Sequence, residues 1–145
     1  MQLATVYKRK GAYYVHSDSQ TTDGVWIAVR PFLRISVEEG AAALVSAMKD
    51  ALRSSRTNIE HPTNWDSIEY PIPELAGVKS WATFMRNACC LSVKADGGKL
   101  LLIPNRNMGP KEGFKALPEK TLDMPLDCPE GQLVKALEEA FALCM

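Results

Sequence analysis

At 145 residues the chain has the size of one domain and can bury a core of its own, so neither disulfides nor a structural metal are needed to hold it together. Seventeen Lys and Arg balance seventeen Asp and Glu for a formal net charge of zero, which excludes the overall positive field that proteins binding nucleic acid or anionic membranes directly usually carry. The first residues lack an apolar stretch followed by a small-residue cleavage site, and no run of about 18 apolar residues is present for a membrane helix. The expectation is a soluble, cytoplasmic protein.

In chain order, LATVYKR and AYYVHSD are rich in β-forming residues and are split by Lys10-Gly11. This pattern predicts a hairpin with Val6, Tyr13 and Val15 toward a core. The polar run SDSQTTDG, residues 17–24, comes next. Asp18, Ser19, Thr22 and Asp23 are types that bond local backbone, and Asp23-Gly24 is a turn-forming pair, so the run reads as the connection to a third strand. That strand is GVWIAVRPFLRI, in which Pro31 marks an edge or a bulge. Ser36 and Glu39 then fit a capping box, and Val37, Ala41, Leu44, Val45, Met48 and Leu52 fall on one face of the helix behind it.

The stretch RTNIEHPTNWDSIEYPIPELAG has three prolines and no sustained period, which predicts a long irregular connection. A short helix, VKSWATFMRNA, follows with Val78, Trp81 and Met85 at helical spacing, and CCLSVKA and KLLLIPN flank the hairpin signal Asp96-Gly97-Gly98. GFKALPEKTLDMP supplies one more extended segment. In the last helix Pro129 suits the first helical position, and Leu133, Val134, Leu137, Phe141 and Cys144 form a stripe. Strands in runs joined by hairpins define the α+β class: a mostly antiparallel sheet with helices packed on one face, as a single domain over residues 1–145.

Hydroxyls beside carboxylates in residues 17–24 are the material of nucleophile-and-base chemistry. The run would still need a histidine, and His16 adjoins it in a strand while His61 is the only other. A turn is the better reading, and no catalytic residue is assigned. PNRNMGPKEGF, residues 104–114, has two glycines and two basic side chains but lacks the phosphate-loop pattern, and a strand-like stretch follows it. Glu138 and Glu139 are adjacent and point in different directions from the last helix. Cys89, Cys90, Cys128 and Cys144 include no C-x-x-C, and neither histidine stands at metal-ligand spacing from them. Reduced thiols, no metal and no cofactor are expected.

Charge patterning carries more information. Thr57 to Val78 holds Glu60, Asp66, Glu69 and Glu74, no Lys or Arg, and the aromatics Trp65 and Tyr70. An acidic connection carrying aromatics is a docking surface for a basic partner, unless its rings are tucked into the core. Residues 99–120 lean the other way, with Lys99, Arg106, Lys111, Lys115 and Lys120 against Glu112 and Glu119. Electrical polarity is expected despite the zero sum.

TVYKRKGAYYVHSDSQTTDGVWI, GVKSWATFMRNACC and IPNRNMGPKEGFKALPEK resemble stretches in the immunity proteins of bacterial contact-dependent growth inhibition (CDI) systems. The resemblance implies a small cytoplasmic protein, encoded beside a large exported toxin, that binds the toxin's C-terminal domain and neutralises it. It transfers no catalytic motif and assigns no contact residue. If the toxin presents a basic cleft, Glu60, Trp65, Asp66, Glu69, Tyr70 and Glu74 are the candidate toxin-binding residues. The competing expectations are a small enzyme or ligand-binding protein with a pocket built from residues 17–24 and 104–113 near Cys89 or Cys90, and a module that mainly self-associates. Homo-oligomerisation is compatible with each of these.

Overall fold

Lys10 and Gly11 form the first hairpin turn because both take positive φ, 45° and 76°, the mirror-image turn whose twist matches that of its flanking strands. The computed structural model describes all 145 residues. Its strands are β1 (Gln2–Arg9), β2 (Ala12–Gln20), β3 (Trp26–Ser36), β4 (Cys89–Asp96), β5 (Lys99–Asn107), β6 (Phe114–Ala116) and β7 (Leu122–Pro125). The helices are α1 (Ala41–Ser54), α2 (Ile72–Leu75), α3 (Trp81–Met85) and α4 (Glu130–Leu143). The sheet runs β3-β2-β1-β4-β5-β6, with β7 also paired to β5, and every pairing is antiparallel. No helix is long and apolar enough to cross a membrane.

Alternation along the central strands supplies two buried faces. Val6, Val15, Leu91, Val93, Leu100 and Leu102 point to one side and pack with Leu44 and Met48 of α1 and Leu133 and Leu137 of α4. Tyr7, Tyr14 and Cys90 point to the other and are covered by Ile72, Phe84 and Ala88, with Tyr70, Trp81 and Phe114 around them. Helices on one face therefore describes the two long ones. The short α2 and α3 sit within the connection that covers the opposite face.

Four local expectations are corrected. The run 17–24 is not all turn, because β2 continues through Gln20. Its polar residues stay in the strand because they find distant partners. Asp18 Oδ2 accepts from Thr5 Oγ1 at 2.7 Å, and Ser19 Oγ accepts from the Arg56 N–H at 3.0 Å. The capping box of Ser36 and Glu39 is present, yet it closes a single 3-10 turn at Val37–Glu39. Helix α1 begins after Gly40, whose φ of 94° breaks the run. Val37 and Ala41 are consequently exposed, and Ala47 and Ala51 complete the buried face instead. The segment after Gly113 is two strands separated by a 3-10 turn at Pro118–Lys120. Pro129 is the N-cap of α4, one position before the first helical residue. Pro31, by contrast, lies on an edge strand and also at a register shift, since His16 faces Phe32 while Ser17 faces Val29.

Candidate functional site

The acidic connection is fastened to the end of β2 by backbone bonding. Gln20 N–H donates to the Arg56 carbonyl at 2.9 Å, Ile59 N–H to the Gln20 carbonyl at 3.1 Å, and Thr22 N–H to the Ile59 carbonyl at 2.9 Å. Thr21 is at the centre of this join and is 2% exposed. Its Oγ1 accepts from the Asp23 and Val25 N–H groups, each at 3.3 Å, and lies 2.9 Å from His61 Nδ1. With both backbone donors accepted, the hydroxyl proton is left to donate to Nδ1. The ring proton then sits on Nε2, which lies 3.6 Å from the Asp23 carboxylate.

Asp23, His61 and Thr21 thus stand in the order carboxylate, imidazole, hydroxyl, which is the order of a nucleophilic relay. A nucleophile must be reached by its substrate, and this hydroxyl is buried and committed to its own turn. The set is a clasp. Thr21→Val removes a hydroxyl that accepts from two backbone N–H groups and donates to His61, and a loss of about 1–3 kcal/mol of stability is expected in a urea melt. A loss below about 0.3 kcal/mol would show that the clasp does not hold the connection.

The clasp presents Trp65. Asn64 Oδ1 accepts from the Asp66 N–H at 3.1 Å and starts a 3-10 turn over Trp65–Ser67. The indole is 51% exposed and meets only the His61 ring, edge-on, at 5.3 Å. Asp66, Glu60 and Glu74 are exposed and take part in none of the ion pairs. Glu69 differs. Arg30 grips it through two hydrogen bonds, at 2.7 and 3.2 Å, and these hold its carboxyl below the usual range. Tyr70 turns inward, with its hydroxyl 2.9 Å from that of Tyr7 and its ring edge-on to His16 and Phe32. Burial pushes its ionisation well up.

Of the six candidates, four face outward, one is neutralised and one supports the fold. Exposed Asp23 and half-buried His61 join them, although no local pattern placed the two together. Only the long-range bridge between Thr21 and Ile59 brings them beside Trp65. The basic residues of 99–120 belong to β5, β6 and their connections, and β1 and β4 separate them from β2 and β3. The acidic and basic stretches therefore occupy opposite sides of the sheet.

The alternative pocket does not assemble. Residues 17–24 and 104–113 lie on β2 and β5 and the turns after them, with two strands between. They also run toward opposite ends, since Ser17 faces Ala4 and Ala4 faces Val93, whereas Pro104 faces Leu91 and leads the other way. Cys90 is buried, and burial first, then nearby Cys144, raises its thiol well above the ordinary value, the reverse of what a nucleophile requires. A cleft of about 460 Å³ lies between β3 and the connection, lined by Arg30, Phe32, Glu69 and Leu75 among others, with no histidine or cysteine in it.

A sheet covered on both faces, with an aromatic and acidic connection fastened at one end, makes this an α+β protein. The family model of CdiI, the CDI immunity protein, matches residues 4–144, and the chain belongs to that family. CDI immunity proteins are toxin inhibitors, not enzymes. Two solved structures share the fold. One is a protein of unknown function from Neisseria meningitidis, with a TM-score of 0.80 and 16% identity, covering 99% of this chain and 95% of that one. The other is the CdiA-CT/CdiI toxin and immunity complex from Yersinia pseudotuberculosis, with a TM-score of 0.76 and 15% identity, covering 99% of this chain and 97% of that one. No curated protein matches.

Proposed function

We propose that this protein binds the C-terminal toxin domain of a cognate CDI effector in the cytoplasm and neutralises it by covering the active or substrate-binding surface with the acidic connection. The observation that carries the placement is Trp65, half-exposed on a clasped segment that also carries exposed Glu60 and Asp66, and joined through the His61 ring to Asp23. Aromatic anchors of this kind supply binding energy, and surrounding charge steers encounter. Family membership supports a protein partner, and the Yersinia match is itself a toxin and immunity complex.

Association with the toxin domain tests this reading across a salt series. Asp66→Lys is expected to slow association by roughly two- to tenfold at low salt. The difference should close toward 1 M salt, where the Debye length falls to about 3 Å. Dissociation should change little. If folded Asp66→Lys associates as fast as the parent at every salt concentration, the interface lies elsewhere and the basic 99–120 face becomes the candidate.

A further inference from the structure

Beneath the connection, on the face of the sheet it covers, lies a buried polar group that the docking surface does not use. His16 is 3% exposed. Its Nδ1 lies 3.0 Å from the Ser17 carbonyl, to which it donates, and its Nε2 is buried with no hydrogen-bond partner. The ring is packed by Tyr7 of β1 at 5.8 Å, Phe32 of β3 at 5.8 Å and Tyr70 of the connection at 5.6 Å. Such a site fits a neutral imidazole. A second proton would place a charge and a donor on Nε2, where no acceptor of the protein meets it.

We propose that His16 is a pH-operated latch, holding the connection 57–78 against the sheet while neutral and releasing it when protonated. Acidification would then withdraw the surface assigned to the toxin, a consequence that rests on the docking reading above. Tyr70 is the moving contact, because it touches His16 and also carries the hydroxyl bond to Tyr7 that ties the connection to β1.

Few charges face the ring. Asp18 on β2 lies 3.6 Å from Nδ1 and is held by Thr5 of β1. From β1 and the connection come the Tyr7 and Tyr70 hydroxyls, and from β4 the buried Cys90 thiol packs beside Tyr7. On β3, Arg34 is exposed and Arg30 is engaged by Glu69. Asp18 is therefore the one charge able to favour the cation.

Burial lowers the His16 value from 6.5, and Asp18 opposes this only in part. Above about pH 6.5 the ring is neutral whether the connection is closed or open, and the latch holds fully. As pH falls from there through the lower closed-state value, the opened form takes up the proton first and closure weakens. Asp18 acts in the other direction, since burial raises its value from 3.8. Protonation of Asp18 favours the closed form and so offsets part of the loosening as pH falls.

Hydrogen exchange on the free protein tests the latch without any toxin. After correction for intrinsic rates, amides of residues 57–78 are expected to exchange faster at pH 5.0 than at pH 7.5, by up to about 30-fold, the limit set by uptake of one proton at about 6.5 in the opened form. Amides of β1, β4 and β5 should keep their protection. His16→Gln, which still donates to the Ser17 carbonyl but takes up no proton, should abolish the difference. Should that variant not fold, Asp18→Asn serves instead, because losing the carboxylate lowers the closed-state value further, so the acceleration starts at the same pH but keeps growing to lower pH than in the parent. The latch is overturned if the parent shows no difference between the two pH values, if His16→Gln keeps it, or if the acceleration in Asp18→Asn levels off at the same pH as in the parent. Toxin-domain affinity at the same two pH values separates the two proposals. A parallel loss of affinity supports both, while faster exchange with unchanged affinity leaves the latch standing and removes the toxin from this surface.

Discussion

Phe84→Ala is expected to cost about 3–5 kcal/mol of folding stability, a large part of the 5–15 kcal/mol that a domain of this kind has. The ring is fully buried. It meets Tyr7 and Tyr14 edge-on at 5.3 and 5.2 Å and stacks on Trp81 at 5.3 Å, and such pairs add to simple burial. The cavity left behind would not collapse readily, because Tyr7 and Tyr14 are fixed on adjacent central strands and Trp81 is held by a helix that Ser80 caps. Arg9 would lose its support as well, since its guanidinium lies over the Phe84 ring at 5.7 Å. A urea melt should show a lower midpoint with little change in slope, and the melting temperature should fall by roughly 10 °C. A loss under about 1 kcal/mol would mean that the second face of the sheet is not part of the cooperative unit.

Trp65→Ala should do the reverse, leaving stability nearly intact and weakening the complex. Half of the indole is already in water and His61 is its only ring neighbour, so truncation removes little folding energy. At an interface centre the same truncation typically costs about 2 kcal/mol or more, which is about 30-fold in Kd. Most of that should appear as faster dissociation, because the steering charges remain. Surface plasmon resonance with the toxin domain, beside a thermal melt of the free variant, separates the two effects. Unchanged dissociation from a folded variant would place the anchor elsewhere on the molecule.

Elements governed by local chemistry were legible in the sequence. Lys10-Gly11 and Asp96-Gly97-Gly98 mark their turns by residue type alone, and the apolar spacing of Leu44, Val45, Met48 and Leu52 sufficed for α1. What failed depended on contacts distant in sequence. Asp18 and Ser19 look like a turn until Thr5, Ser55 and Arg56 arrive to bond them. Trp65 and Tyr70 share one acidic stretch and look equivalent, yet one packs on a single imidazole and the other reaches the Tyr7 hydroxyl across the sheet. Which ring turns outward was decided by what the sheet offered beneath each, and no pattern within residues 57–78 encodes that. That Asp23 and His61 meet could not be read for the same reason, since they are 38 residues apart until Ile59 pairs with Thr21.

Strand β3 closes the sheet on one side with no neighbour beyond it, and its first half, Trp26–Val29, is apolar. An open edge of this composition is a template for fibrous growth, in which copies add strand by strand. Three features interrupt the template at its midpoint. Pro31 has no N–H to offer an incoming strand, the register shift between His16 and Ser17 twists the edge away, and the Arg30–Glu69 pair stands across it. No continuous ladder of donors longer than a few residues is left for a second molecule to extend. Copies of the chain therefore find only short, interrupted stretches of that edge on which a further strand could be added.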